Sequence, residues 1–209
     1  MSYSIKETFY SIQGEGFHSG RPAVFLRFAG CNLWTGREED RASAVCTFCD
    51  TEFVGVDGEG GGKFASAEDL VRHVRSFWPD DSTAFVVCTG GEPLLQLDES
   101  LIDAFHGASC EIAVETNGTL APPQGIDWIC VSPKADSELV LSKGDELKLV
   151  YPQEKARPEM YKSLPFKHFF LQPMDGPAIE KNTVQTLQYC LENPKWKLSM
   201  QMHKMLGVR

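Results

Sequence analysis

Six short apolar runs punctuate this chain, at residues 23–28, 84–88, 111–115, 128–131, 146–150 and 168–171. They are too short for helices and most are nearly unbroken in apolar character, the pattern of parallel strands covered on both faces. Three stretches carry helical spacing instead. The first opens at Ser66, an N-cap with Asp69 three residues on, continues through Leu70, Val71, Val74 and Phe77, and stops at Pro79. The second begins near Asp98, carries Leu101, Ile102 and Phe105, and ends at Gly107. The third opens around Pro177, carries Ile179, Val184, Leu187 and Leu191, and stops before Pro194.

Other crossovers have no helical pattern. Residues 117–127 hold Gly118, Pro122, Pro123 and Gly125, and the segments 132–145 and 151–167 also carry proline or glycine with weak periodicity. This arrangement predicts an α/β fold: a partial, open TIM-like barrel of about six parallel strands with three full helices, in a single domain over residues 1–209. It is smaller than a closed eight-fold barrel of roughly 250 residues, and its chemistry should collect beyond the C-terminal ends of the strands. Residues 196–203 alternate, with Trp196, Leu198, Met200 and Met202 on one face and Lys197, Ser199, Gln201 and His203 on the other, which reads as a last strand with one polar face.

Composition narrows the function. A formal charge of −9 argues against general nucleic-acid binding, which rests on clustered Lys and Arg, and points to a small-molecule substrate. Residues 1–6 carry no apolar leader, and no run approaches the length of about 18 apolar residues that a membrane span needs, so a cytoplasmic location is expected. Cys88, Cys110, Cys130 and Cys190 sit singly in apolar stretches, as small buried hydrophobes do.

The other three cysteines carry the chemistry. Cys31, Cys46 and Cys49 form a C-x14-C-x2-C set after the first apolar run, with no fourth Cys or His nearby. Three thiolates suit an iron–sulfur cluster with one iron left open for a ligand, whereas a structural zinc site or an electron carrier wants a fourth protein ligand. Half of a zinc knuckle or a redox dithiol is the competing reading of Cys46 and Cys49. Residues 38–41 in the long gap are charged and read as a solvated excursion, with Thr35 and Glu38 placed to cap a short helix; residues 57–62 read as a flexible loop.

Motifs follow each predicted strand. Gly90, Gly91, Glu92 and Pro93 end the second, where two glycines let a ligand approach the backbone and a carboxylate suits an ammonium group. Glu115 ends the third, and Ser132, Pro133 and Lys134 end the fourth. Gln172, Pro173, Met174 and Asp175 end the sixth and suit a flat heterocycle. Before the first strand, Ile12, Gln13, Gly14 and Glu15 form a tight turn. Arg27 alternates onto the face of Phe25, where a buried guanidinium needs either Glu15 or a substrate carboxylate. Gln201 and His203 can complete the same pocket.

The cysteine set with Phe48 before Cys49, together with Gly90-Gly91-Glu92-Pro93, resembles the radical S-adenosylmethionine (SAM) superfamily. Residues 11–16 leading to Arg27-Phe28-Ala29-Gly30-Cys31-Asn32-Leu33-Trp34, then Cys46-Thr47-Phe48-Cys49-Asp50-Thr51, resemble the 7-carboxy-7-deazaguanine synthase family, within which a first cysteine gap longer than the superfamily's usual C-x3-C occurs. The resemblance implies a lyase of queuosine biosynthesis that converts 6-carboxy-5,6,7,8-tetrahydropterin to 7-carboxy-7-deazaguanine and ammonia. It implies a [4Fe–4S] cluster on Cys31, Cys46 and Cys49, with SAM on the open iron. An electron from a flavodoxin-type donor then cleaves SAM, and the 5′-deoxyadenosyl radical takes hydrogen from C6 and later returns it. Carried over by position, Phe48, Asp50, Glu92, Ser132, Pro133, Lys134, Gln172, Pro173, Met174 and Asp175 would hold SAM. Ile12, Gln13, Gly14, Glu15, Arg27, Gly90 and His203 would hold the pterin, and Thr51 an Mg2+. A homodimer is also implied. An activating enzyme for glycyl radicals would want an exposed apolar groove that no segment suggests; an electron carrier or zinc module would leave residues 12–15 and 90–93 without a role.

Overall fold

The computed structural model describes residues 2–208, which fold around one curved, mostly parallel sheet with a few helices. Among these residues there are nine strands in the order β3-β1-β2-β4-β5-β6-β7-β8-β9, so the expected count of about six is too low. The six runs read from the sequence are β2 (Pro22–Phe28), β4 (Ala84–Gly90), β5 (Cys110–Thr116), β6 (Trp128–Val131), β7 (Gly144–Tyr151) and β8 (Phe166–Pro173). All six are parallel neighbours.

The additional strands lie at the edges. β1 (Tyr3–Ile12) runs antiparallel to β2, with a bulge between Ile5 and Glu7, and β3 (Gly62–Phe64) pairs antiparallel with the start of β1. The bulge shifts the side-chain alternation midway along β1, which hides the period of two that marks a strand. Residues 57–62 are correspondingly tied down rather than loose. Gly58 N donates to the Lys6 carbonyl at 3.0 Å, Thr8 N to the Glu59 carbonyl at 2.8 Å, and Lys6 Nζ to Asp57 at 2.8 Å.

The predicted helices form where the caps placed them. Ser66 Oγ accepts from Asp69 N at 3.2 Å at the head of α1 (Ala67–Arg75), and Asp98 accepts from Leu101 N at 2.9 Å at the head of α2 (Glu99–Gly107). Their apolar faces, Leu70, Val71 and Val74 with Leu101, Ile102 and Phe105, bury against Val24, Leu26, Val86 and Ile112 on the outside of the sheet. Each such side chain stabilises by about 1.5–3 kcal/mol.

α3 (Ile179–Glu192) forms where expected but turns a different face inward. Asn182 and Thr186 are buried, while Val184, Leu187 and Leu191 stand exposed at 68%, 45% and 71%. Thr186 Oγ donates to the Asn182 carbonyl, and Asn182 Nδ2 donates to the Met174 carbonyl at 2.8 Å, so this polar face serves the turn after β8. Cover for β6, β7 and β8 comes largely from the non-helical crossovers, through Leu141, Ala156 and Tyr161.

The expected final strand is cut short. β9 spans only Lys197–Leu198, parallel to β8, and a short helix α4 (Met202–Leu206) follows. Ser199 is buried rather than solvated: its Oγ accepts from Gly16 N at 2.9 Å and its N donates to the Leu171 carbonyl at 2.8 Å. Met202 N donates to the Gly14 carbonyl at 3.0 Å. These bonds bring the segment after β9 against the turn after β1. No helix of the described residues is long and apolar enough to cross a membrane.

Candidate active site

A cavity of about 510 Å3 opens at the C-terminal ends of the parallel strands, within the range of small-molecule sites. Cys31, Cys46 and Cys49 all line it. All three are free thiols, and among the described residues the chain's other cysteines are free as well. Burial pushes the Cys31 and Cys46 thiols up, partly offset at Cys46 by the Lys134 ammonium. No three His, Cys, Asp or Glu side chains among the described residues gather as tightly as a single metal ion requires. A four-iron cube spaces its cysteines more widely than one ion does.

The loop carrying the cysteines is held by a residue that the sequence reading left in solvent. Within a 3-10 turn (Glu38–Ser43), Arg41 lies over the Trp34 ring at 4.1 Å. Its Nη1 donates to the Thr47 and Cys49 carbonyls at 3.1 and 3.0 Å, fixing the backbone that presents the last two thiols. The cap expected from Thr35 and Glu38 does not form: the N-cap is Arg37, Thr35 Oγ1 donates to Asp40 at 2.8 Å, and Glu38 accepts from Arg41.

Around the rim stand Ile12, Gln13, Gly14, Glu15, Arg27, Phe48, Asp50, Thr51, Gly90, Ser132, Lys134, Gln172, Pro173, Asp175 and His203. Gly14 is forced by crowding, since a Cβ there would run into the His203 ring. Gly90 sits at φ +126° against the Phe28 backbone, a double demand that only glycine meets. Pro133, Met174 and Glu92 do not line the cavity. Glu92 is fully buried behind it, its carboxylate accepting from Thr116 Oγ1 at 2.7 Å, Leu94 N at 3.0 Å and Asn117 N at 2.8 Å. Burial raises its carboxyl despite these donors.

Arg27 does not pair with Glu15, the protein partner weighed from the sequence. Its Nε donates to Glu7 on the neighbouring strand β1 at 2.7 Å. Glu15 is taken instead by Lys148, a residue with no motif around it, whose Nζ lies 2.6 Å from Glu15 and 3.2 Å from Glu115. Burial works against both charges, yet Lys148 and Gln201 hold the Glu15 carboxyl below its usual range, and the carboxylates hold the Lys148 ammonium far above its own. Gln13 Nε2 donates to Glu115 at 3.0 Å and Gln201 Nε2 to Glu15 at 2.9 Å, which completes a polar floor. At the mouth Lys204 bridges Asp50 and Asp175, each at 2.6 Å.

Residues 41–142 match the model of the Radical SAM superfamily, a span that begins within the long gap between the first two cluster cysteines. Over its whole length the chain is 60% identical to the 7-carboxy-7-deazaguanine synthase of Bordetella pertussis, with 209 residues aligned and 100% of both chains covered. The chain belongs to the 7-carboxy-7-deazaguanine synthase family. The synthase of Caulobacter vibrioides is 61% identical over 211 residues, again with 100% of both chains covered. Among solved structures, the chain is similar to the crystal structure of QueE from Escherichia coli, with a TM-score of 0.72, 26% identity, and 96% of this chain and 94% of that chain covered. Membership implies a [4Fe–4S] cluster and SAM. Three free thiols on one cavity wall, on a loop pinned by Arg41, with room beside them, fit both groups.

Proposed function

We propose that this chain converts 6-carboxy-5,6,7,8-tetrahydropterin to 7-carboxy-7-deazaguanine with release of ammonia, as one domain folded into a partial barrel. The observation that carries the reading is full-length identity of about three residues in five to relatives bearing that name, 60% in one case. Cys31, Cys46 and Cys49 would hold the cluster, which with SAM supplies the one-electron chemistry that starts the reaction. The protein's own work is to fix geometry and exclude water.

The cavity divides by chemistry. Phe48, Asp50, Ser132, Lys134 and the turn from Gln172 to Asp175 are assigned to SAM, with Pro133 shaping its turn. Glu92 is assigned there too, acting through Thr116 and Asn117, which line the cavity while bonded to it. Ile12, Gln13, Gly14, Glu15, Arg27, Gly90 and His203 are assigned to the pterin. Arg27 retains guanidinium nitrogens beyond the Nε bonded to Glu7, enough to grip a carboxylate. Glu15, its carboxyl held below the usual range by Lys148, and Glu115, which also contacts Lys148, suit the N–H donors of an aminopyrimidinone. Thr51 is assigned to Mg2+, which takes few protein ligands and shares its remaining sites with water and substrate.

A flavodoxin-type reductant and a cytoplasmic setting go with this reading. So does a homodimer, for which Val184, Leu187 and Leu191 offer an exposed apolar row on one face of α3. The test is anaerobic turnover of reconstituted, reduced protein with SAM and the carboxypterin. The deazapurine acid should form without net loss of SAM. Stoichiometric 5′-deoxyadenosine with no deazapurine would refute the assignment.

A further inference from the structure

Behind the floor of the main cavity lies a small void of about 10 Å3 whose walls include Gln13, Glu15, His18, Glu115, Cys130 and Glu146. The strand register sets three of these side by side, with Glu115 opposite Cys130 and Cys130 opposite Glu146. Glu146 is 3% exposed. Its Oε2 accepts from Phe17 N at 3.1 Å, while its Oε1 is buried with no conventional hydrogen-bond partner, the Cys130 thiol nearby being only a weak donor. His18 also lines the void, and its Nε2 is buried and unpartnered in the same way.

Buried polar atoms without partners are uncommon, and two on the wall of one void call for a shared explanation. The void has about the volume that one water-sized molecule occupies. We propose that it is a binding site for a single small hydrogen-bonding molecule that donates to Glu146 Oε1 and meets His18 Nε2, a chemistry shared by water and ammonium. Solvent is one source. The other rests on the function proposed above, because that reaction releases ammonia, and Gln13, Glu15 and Glu115 line both the main cavity and this void. Lys148 pairs with Glu15 and Glu115 and not with Glu146, so a cationic guest can serve that carboxylate as well as a neutral donor can. Burial pushes the Glu146 carboxyl up, the strain that a donor at Oε1 relieves.

The test is diffraction from crystals of the full-length protein grown without ammonium, before and after a soak in thallium(I), an ammonium-sized anomalous probe. Density for one bound molecule within hydrogen-bond reach of Glu146 Oε1 is expected in both. An anomalous peak there identifies the cation source, and ordinary density without it identifies solvent; an empty void overturns the proposal. His18→Phe keeps an aromatic ring against Trp128 and Phe85 while removing one partner, and should cut occupancy by at least half. Unchanged occupancy in that variant also overturns it. Because the resting protein is measured, the result is independent of turnover, so a failure of the site and a failure of the proposed reaction are distinguishable.

Discussion

The two faces of the sheet are built on opposite principles. The outer face, under α1 and α2, is apolar throughout, with Val24, Leu26, Val86, Ile112, Leu70 and Phe105 buried together and no charge among them. The inner face carries Arg27 on β2, Glu115 on β5, and Glu146 and Lys148 on β7, wholly or partly buried, with Arg27 paired to Glu7 and Lys148 to Glu15 and Glu115. Apolar burial gives stability with little dependence on exact geometry, whereas buried ion pairs roughly break even against hydrophobic packing. The outer layer therefore secures the fold, and the inner layer is free to be chosen for chemistry. Each face should respond differently to damage.

The sharpest break lies at the cysteines. Cys49→Ser should abolish turnover and most bound iron while leaving the denaturant midpoint of the apo-protein nearly unchanged, because Cys49 is only partly buried and packs in no apolar cluster. Iron analysis, absorbance and urea melts decide it. A destabilised fold with iron retained would reverse the division between the faces.

Next in size is Lys148→Met. It leaves Glu15 and Glu115 facing one another without a counter-charge, and removing one partner of a buried pair costs about 3–5 kcal/mol. The cost should shrink as pH falls. Glu15 has its folded pKa below the unfolded value, so its contribution is fully present above the ordinary carboxylate range and is lost as pH drops through the folded value. Urea melts of wild type and variant should converge in acid; a gap that widens in acid would contradict the ion-pair account. Leu70→Ala, on the outer face, should cost about 2–4 kcal/mol at every pH, with kcat/KM unchanged in the surviving folded protein. Arg27→Ala should raise the pterin KM about 10-fold or more, as loss of a charge-assisted contact does, with iron content intact.

How much of this was legible in the sequence follows the same division. The outer face announced itself, since parallel strands covered on both sides read as apolar runs and both helix starts carried their caps at Ser66 and Asp98. β1 did not, because its bulge breaks the alternation, and α3 showed its helix but not its buried side, because the inward residues Asn182 and Thr186 serve a turn rather than a core. On the inner face the glycine and cysteine motifs were visible as local patterns. Lys148 was not: a lysine alternating with leucines in a strand looks like any edge residue until the fold sets Glu15 and Glu115, from distant segments, against it. Arg27 was recognised as needing a carboxylate, but Glu7 emerged as the partner only once β1 was known to be a strand beside it.

Arg41 tests where the two faces meet, because it stabilises neither core yet shapes the cluster loop. Its guanidinium stacks on Trp34 and donates to two carbonyls of the segment holding Cys46 and Cys49. Its ion pair with Glu38 is largely exposed on the acidic side and contributes little, so the loop bonds carry the effect. Arg41→Lys keeps the charge but cannot donate to two carbonyls while stacking, because an ammonium lacks the planar fork. The expected loss of stability is small, about 1 kcal/mol. The more telling readout is cluster reconstitution, which should slow severalfold as the loop samples other conformations, with final iron content near that of wild type. Arg41→Lys loading iron at the wild-type rate would mean that the thiols are preorganised by Trp34 and the strand ends alone.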